Sequence, residues 1–361
     1  MALTETYVDP AIAGNSGTGT IGDPYGDLQY ALDTMTRDST NGDRLNIKAG
    51  TAEVMAAAIS LATYGTPTAT APLVFQGYTA TAGDGGIGEI SGGGSVSIMN
   101  GGQSSVHFVN MKLGNTGAQR IFSMGNYCLL LNCELTGSSA SSAVLFSVVI
   151  MHRCYVHSIT NSQVNASTDG RFYDCYFEGG ASAACLTIAE GVVDRCNFDL
   201  SGGEIGISLA GTRPVISNNS FYANAGTGHG INWNANQGDC FNNIFSGFSG
   251  AGGEGININA GKAFLLYGNN FFYNNTANTA GTLVAAHQLP DITLTNAPFT
   301  NPGGGDFSIA AAAKAELQAQ GWPSSFNGIS TNQYLDPGAA QIQIPTATGG
   351  GRRSRGRYHG V

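Results

Sequence analysis

Short stretches of alternating apolar and polar residues follow one another along most of the chain. Residues 143–146, 205–209 and 256–259 are examples. Alternation points one side chain inward and the next outward, as in a strand with one buried face. Gly and Asn between these stretches supply the left-handed conformations of tight turns. The pattern predicts many short strands joined by tight turns.

A motif repeats through the middle of the chain. Each copy has an apolar residue, two variable positions, a Cys or Asn, and a second apolar residue two positions further on. The Cys or Asn positions are Cys133, Cys154, Cys175, Cys196, Asn219, Asn243 and Asn269. Steps of 21 to 26 residues separate these copies. A period of this length, in a sequence rich in Gly and Asn, fits one turn of a β-solenoid better than a helical repeat.

These copies resemble the right-handed parallel β-helices of the pectate-lyase-like superfold. Copies that read Ile-x-Asn-Asn-x-Phe are similar to the tight turn of that fold, in which inward Asn side chains stack as a ladder. The resemblance covers about residues 45–275 and concerns the fold rather than an activity. It implies an all-β chain with a single right-handed parallel β-helix of about nine or ten coils. The four Cys would continue the Asn ladder.

The regions outside the repeat suggest caps. Residues 1–44 predict an entry segment and a capping helix, with Asp27 as the N-cap and an apolar face formed by Leu28, Ala31, Leu32 and Met35. Residues 45–278 are predicted to form the β-helix. Residues 279–345 lose the repeat and predict a C-terminal cap, with a strand and an Ala-rich helix from Phe307 onward. Residues 346–361 predict a flexible basic tail.

Charge narrows the choice of partners. Of 361 residues only 11% are charged, and the net charge is −9. The tail holds Arg352, Arg353, Arg355 and Arg357, so the remainder has 11 basic and 24 acidic residues. Such an acidic body disfavours nucleic-acid binding except through the tail, which we expect to dock on a partner. No apolar run is long enough to span a membrane, and no secretion signal is evident, so assembly in a host cytoplasm is expected.

The cysteines are expected to be structural. The seven Cys show neither the close pairs nor the His partners of metal sites. Stacked inward thiols behave as small buried apolar groups. No metal and no cofactor are therefore expected.

One set of charged residues offers a catalytic centre. Arg153, Asp174 and Arg195 each precede a ladder position and are expected to stack outward on adjacent coils. They are either an acid–base centre acting on a sugar or an ion-pair ladder. Their alternating sign favours the ladder.

The second strand of each coil is expected to be polar but unreactive. Its outward positions are Ser147, Thr187, Ser208, Asn232 and Asn257, none of which is an acid or base near neutral pH. Glu178, Glu190, Glu204 and Glu254 are expected at turns without matched partners, and Trp233 is expected in the core. Such a surface suits glycan binding or protein contact.

These features favour a non-enzymatic structural or adhesive protein. The chain also resembles the β-helical proteins of bacteriophage particles, which implies a head decoration, fibre or tail protein that contacts other virion proteins or further copies of itself. One alternative is a polysaccharide lyase or depolymerase that uses Arg153, Asp174 and Arg195. The other is a glycan-binding β-helix without turnover.

Overall fold

The chain is a parallel β-solenoid. Its computed structural model describes residues 3–94, 96–138, 142–180, 184–200 and 202–317. The solenoid has about eight turns, slightly fewer than the nine or ten expected, and the all-β class is confirmed. The arginines Arg352, Arg353, Arg355 and Arg357 lie outside the described residues, as does the rest of the expected C-terminal cap beyond residue 317.

Two parallel sheets run along the solenoid. The larger has 18 strands: Thr4–Val8, Asp43–Lys48, Leu73–Tyr78, Met99–Gln103, Val106–Val109, Phe122–Met124, Cys128–Leu131, Ser142–His152, Ser162–Tyr173, Ala184–Asp194, Ile205–Leu209, Val215–Ser217, His229–Trp233, Asp239–Phe241, Glu254–Ile258, Phe264–Gly268, Ala277–Ala280 and Ala285–Gln288. The smaller has 11: Ala52–Val54, Gly88–Ser91, Met111–Gly114, Glu134–Ser138, Tyr155–Ile159, Tyr176–Glu178, Asn197–Leu200, Ser220–Ala223, Ile244–Ser246, Phe271–Tyr273 and Ile292–Thr293.

The larger sheet bends into two faces. Its register shifts between Phe146 and Val148, and again between Ala166 and Asp169 on the next coil. We call the part before this bend face B, which includes Ile205–Leu209, and the part after it face A, which includes Val215–Ser217. The smaller sheet is face C. The chain passes through faces B, A and C in every regular coil.

Identical side chains stack inside the solenoid because adjacent coils pair in register. Five Phe of face C form one column: Phe177, Phe198, Phe221, Phe245 and Phe272. Their neighbouring ring centroids are 4.9, 4.7, 4.8 and 5.1 Å apart, and their planes are nearly parallel. This spacing is the distance between hydrogen-bonded strands, about 4.8 Å. The stack is therefore a direct result of the 20-odd-residue repeat.

A left-handed residue turns the chain from face A to face C in each coil. It has φ between 50° and 58° at eight successive positions: Asn110, Asn132, Arg153, Asp174, Arg195, Asn218, Asn242 and Asn269. Asn adopts this conformation more readily than other side chains do. The residue after it points inward and begins face C.

That inward residue forms the ladder. Cys133, Cys154, Cys175, Cys196, Asn219 and Asn243 are at most 2% exposed. The prediction that Asn269 belongs to the ladder is wrong. Asn269 is the half-buried residue of the left-handed turn, and Asn270 is the buried ladder residue. The last copy aligns on Tyr267, which pairs with Cys240, rather than on Leu266, which pairs with Asp239. A motif that begins at Leu266 is therefore one residue out of register with the other copies.

Helix α1, Leu28–Thr34, closes the N-terminal end. The Asp27 carboxylate caps it by accepting a hydrogen bond from the Tyr30 N–H at 2.6 Å. Leu28, Ala31 and Leu32 are fully buried, and Met35 packs against the same core. Among the described residues, no helix is both long and apolar enough to cross a membrane.

The region after residue 278 differs from the expected cap. Ala285–Gln288 and Ile292–Thr293 still pair with the preceding coil, so the solenoid continues to about residue 293. An antiparallel hairpin follows, formed by Phe299–Asn301 and Asp306–Ile309, and then helix α2, Lys314–Leu317. Phe307 packs against Tyr176, several coils back, with ring centroids 5.9 Å apart. This segment, 295–317, lies along face C, and we call it the strap.

Candidate functional site

The residues proposed from sequence for a lyase centre lie on the turn between faces A and C. Arg195 Nε donates to Asp174 Oδ1 at 2.8 Å, and its Nη1 contacts the Asp194 carboxylate. His152 Nε2 lies 2.9 Å from Asp174 Oδ2. Arg153 is exposed on the preceding coil. Asp174 and Arg195 are thus brought together, as an ion pair.

Most of the charge in this group is compensated internally. Burial raises the pKa of Asp174, but the hydrogen bonds and charges of Arg195 and His152 outweigh burial and hold that pKa below its usual range. Arg195 itself contacts two carboxylates. A guanidinium engaged in this way is poorly placed to neutralise a substrate carboxylate. The geometry fits an ion-pair ladder better than an acid–base centre.

Face B presents a column of uncharged polar side chains. Thr187, Ser208, Asn232 and Asn257 are in-register neighbours, and Asn257 Nδ2 donates to Asn232 Oδ1 at 3.2 Å. Ser147 does not belong to this column, because Leu145 takes the position and Ser147 lies at the bend. Trp233 is fully buried, with its indole N–H bonded to the Ala263 carbonyl oxygen.

Face C holds a group of carboxylates and tyrosines that the sequence motif did not reveal. Glu178 and Asp199 are in-register partners on adjacent coils. Tyr176 lies two positions before Glu178 on the same strand, and its in-register partner is Tyr155 on the preceding coil, with ring centroids 5.3 Å apart. We call these four residues the carboxylate–tyrosine cluster.

Hydrogen bonds join each carboxylate to a tyrosine. The Tyr155 hydroxyl donates to Glu178 Oε2, and the Tyr176 hydroxyl donates to Asp199 Oδ2 at 3.1 Å. Each bond links one coil to the next. Both carboxylates are half-buried, whereas Glu204, at the following turn, is 1% exposed. The Glu204 carboxylate accepts a hydrogen bond from the Gly202 N–H at 2.6 Å.

The environment raises the pKa of Asp199. Burial is the largest cause, and the charges of Glu178 and Glu204 add to it, against the opposing hydrogen bond from Tyr176. Together these effects raise the pKa of Asp199 to about 6. A carboxylic acid with a pKa near neutral is suited to donate a proton.

Two histidines pair with carboxylates, one beside the cluster and one on face B. His157 Nε2 lies 3.1 Å from Glu134 Oε1, and its ring stacks on Tyr155 with centroids 4.1 Å apart. His229 Nδ1 contacts Glu254 Oε2 at the edge of face B. Within the described ranges, no three His, Cys, Asp or Glu residues are grouped so that they could hold a metal ion.

A positional signal in the sequence could have identified the cluster. The third residue after the ladder position is His157, Glu178 and Asp199 in three consecutive copies. The expectation that Glu178 lies at a turn without a matched partner is wrong, because Glu178 ends the strand Tyr176–Glu178 and pairs with Asp199 on the next coil. Stacking such positions coil by coil brings the two carboxylates together.

Comparison with known proteins identifies the fold. No family model and no curated protein matches the chain. Among solved structures, the PL6 family alginate lyase AlyGC superposes with a TM-score of 0.53 at 14% identity, covering 72% of this chain and 39% of the lyase. The GH136 lacto-N-biosidase from Eubacterium ramulus gives 0.43 at 10% identity, covering 80% of this chain and 68% of that enzyme. The pectate-lyase-like β-helix is thus confirmed as the fold.

Proposed function

We propose that the protein hydrolyses a neutral glycan at the carboxylate–tyrosine cluster. The observation that carries this proposal is the in-register pair Glu178 and Asp199, each bonded to a tyrosine hydroxyl. Paired carboxylates in different environments are the usual equipment of glycoside hydrolases. A carbohydrate-active role also agrees with the fold, which the chain shares with an alginate lyase.

Each carboxylate has a distinct task in this reaction. Asp199, protonated on Oδ1 because Tyr176 donates to Oδ2, gives its proton to the glycosidic oxygen as the C–O bond breaks. The Glu178 carboxylate attacks the anomeric carbon and forms a glycosyl–enzyme ester. Asp199 then takes a proton from water, which hydrolyses the ester and releases Glu178. The cycle returns both groups to their starting protonation states.

The spacing of the pair favours retention of anomeric configuration. Adjacent strands place paired residues about 4.8 Å apart. Retaining glycosidases hold their two carboxyl groups about 5–5.5 Å apart, whereas inverting enzymes need about 6.5–9.5 Å to admit a water molecule. We therefore expect the product to keep the configuration of the substrate.

Charge favours a neutral substrate over a polyuronate. The chain carries 24 acidic and 15 basic residues, and two of the acidic residues lie side by side in the cluster. Lyases acting on uronic acids must neutralise the substrate carboxylate as its α-proton leaves. Arg195 is the cation proposed for that task, and its charge is already compensated by the ion pair with Asp174.

The test is hydrolysis of neutral oligosaccharides by wild-type protein and by Glu178→Gln and Asp199→Asn. We expect each substitution to lower kcat at least about 100-fold, within the usual contribution of an acid–base group. Glu190→Gln, which alters an exposed carboxylate within the strand Ala184–Asp194, is the matched control and should retain activity. Equal activity of all four proteins would exclude the cluster as the active site.

The pH dependence of activity and of stability tests the role of Asp199 independently. Wild-type activity should fall as the pH rises through about 6, where the acid loses its proton. Because the folded pKa lies above the unfolded value, Asp199 stabilises the fold at low pH, and this contribution is lost as the pH rises through the folded pKa. Asp199→Asn should therefore be more stable than wild type at pH 8, by about 2–3 kcal/mol, and little changed at pH 4. Urea unfolding at both values measures this.

The virion role and the docking arm stay predictions. The arm, Arg352, Arg353, Arg355 and Arg357, lies beyond the described residues. Deleting residues 349–361 and measuring partner binding at low and moderate salt tests it, since exposed ion pairs weaken as salt rises.

A further inference from the structure

The strap is attached to the solenoid mainly by apolar contacts. Its side chains Phe299, Phe307, Ala313 and Leu317 are buried against Tyr176, Ile244, Phe271 and Leu294. Several of its polar groups bond to one another within the strap: Glu316 accepts from the Thr295 N–H at 2.7 Å, and Ser308 donates to Thr300 at 2.9 Å. Among the described residues, no hydrogen bond links 295–317 to an earlier coil.

An unsatisfied amide lies in the strip that the strap covers. Asn197 stands on face C between Tyr176 and Ser220, and Ile244 follows on the next coil. Tyr176 and Ile244 are both buried by the strap. Asn197 is 0% exposed, and neither its Nδ2 nor its Oδ1 has a hydrogen-bond partner. A buried amide that could make up to four hydrogen bonds therefore makes none.

This amide weakens the closed arrangement. Burying a polar side chain without partners costs free energy that exposure to water restores. Lifting the strap would hydrate the Asn197 amide and would break none of the hydrogen bonds described above. The apolar contacts of Phe299 and Phe307 are what oppose opening. Segments held in this way open at lower free energy than the strands of a core.

We propose that the strap is a lid, and that the strip it covers is a glycan subsite next to the carboxylate–tyrosine cluster. The subsite rests on the proposed function for its ligand class. Tyr176 provides an aromatic face, Asn197 a free donor and acceptor, and Asp199 lies two residues beyond Asn197 on the same strand. A tyrosine ring and a carboxamide suit a sugar, which offers an apolar CH face and hydroxyl groups.

Hydrogen exchange of the full chain tests the lid without any ligand. We expect the amides of Asp306–Ile309 to exchange at least 100-fold faster than those of Tyr176–Glu178 and Asn197–Leu200. Asn197→Leu removes the unsatisfied amide and should slow exchange in the strap about tenfold. Ser208→Ala, on face B, is the control and should leave the strap unchanged. Strap amides as slow as the strands beneath them would overturn the lid.

Binding to neutral hexasaccharides tests the subsite. Phe307→Ala weakens the closed lid and should bind cellohexaose, maltohexaose or chitohexaose about tenfold more tightly than wild type. Leu265→Ala, an equally apolar truncation on the exposed surface of face A, should bind as wild type does. Adding Asn197→Ala to Phe307→Ala should reverse the gain. If Phe307→Ala binds none of the three sugars, or binds one no better than wild type does, the subsite is overturned.

The two proposals fail in different ways. Tighter binding by Phe307→Ala without hydrolysis of the sugar would keep the subsite and reject the catalytic role of Glu178 and Asp199. Hydrolysis that depends on Asp199, together with slow strap exchange and unchanged binding by Phe307→Ala, would keep the active site and reject the lid.

Discussion

The ladder has two halves that occupy the same position in the coil but use different chemistry. In the amide half, Asn243 Oδ1 accepts from the Asn219 backbone N–H at 3.0 Å, and Asn243 Nδ2 donates to the Ile216 carbonyl oxygen at 3.0 Å. In the thiol half, Cys175 Sγ lies 3.5 Å from the Met151 carbonyl oxygen. Sulfur is a weak donor and acceptor, so the same turn is held by weaker bonds.

The difference shows that this turn requires a small inward residue more strictly than it requires an amide. Backbone pairing and the left-handed residue define the turn in both halves. The thiols fill the space as small apolar groups, whereas the amides also satisfy backbone groups of the neighbouring coil. Stability should therefore depend more strongly on the amide half.

The largest effect should follow from Asn243→Ala. This change removes the side-chain hydrogen bonds to the Ile216 carbonyl oxygen and to the Asn219 backbone N–H, and one of the bonds of the Asn270 side chain. Each buried group left unpaired costs about 1–3 kcal/mol. We expect the free energy of unfolding to fall by about 3–5 kcal/mol in urea titrations. Asn257→Ala, on the surface of face B, serves as the control and should change it by less than about 1 kcal/mol.

The neighbouring Asn269 and Asn270 sharpen the comparison within one coil. Asn270 Nδ2 donates to the Cys240 carbonyl oxygen at 3.2 Å inside the solenoid, whereas the half-buried Asn269 donates through Nδ2 to Asn242 Oδ1 in the turn at 2.8 Å. Asn270→Ala should cost about 2–4 kcal/mol and Asn269→Ala about 1 kcal/mol. Equal costs measured by urea unfolding would contradict the assignment of Asn270 to the ladder.

A smaller effect is expected in the thiol half. Cys175→Ala removes one buried sulfur and no strong hydrogen bond, so the cost should be about 1–2 kcal/mol. Thermal unfolding of this variant beside Asn243→Ala measures the contrast directly. A larger loss for Cys175→Ala than for Asn243→Ala would reverse our ranking of the two halves.

The smallest effect is expected at the boundary between the thiol half and the amide half of the ladder. The Cys196 backbone N–H already donates to Asn219 Oδ1 at 2.9 Å, so Cys196→Asn extends the amide ladder by one step. Cys154→Asn places an amide between two thiols and leaves part of it unsatisfied. We expect Cys196→Asn to be the more stable variant by about 1 kcal/mol. Identical stabilities would mean that neighbouring ladder residues do not cooperate.

The repeat was enough to predict the fold, but not the site. The apolar positions and the Cys or Asn of each copy recur at one spacing, so the solenoid follows from the sequence. The sequence predicts the wrong ladder residue in the final copy, because Leu266 and Tyr267 both fit the apolar position of the motif. Only the pairing of Tyr267 with Cys240 fixes the register of this copy. The carboxylate–tyrosine cluster depends on which outward positions of adjacent coils meet. The position of the strap depends on contacts between distant segments, such as Phe307 with Tyr176, for which no local pattern exists.

The entry segment also covers an edge of the larger sheet at which copies of this chain would otherwise stack. Thr4–Val8 is the first strand of the larger sheet, and residues 9–26 cover its outer edge. The Tyr7 N–H donates to the Gly19 carbonyl oxygen at 3.0 Å, and the Tyr25 N–H donates to the Tyr7 carbonyl oxygen at 3.0 Å. An uncovered parallel edge is a template for another strand. A chain lacking this cover would offer an open first coil to the last coil of a second molecule. Repeated head-to-tail stacking of that kind produces a filament with the cross-β spacing of about 4.8 Å.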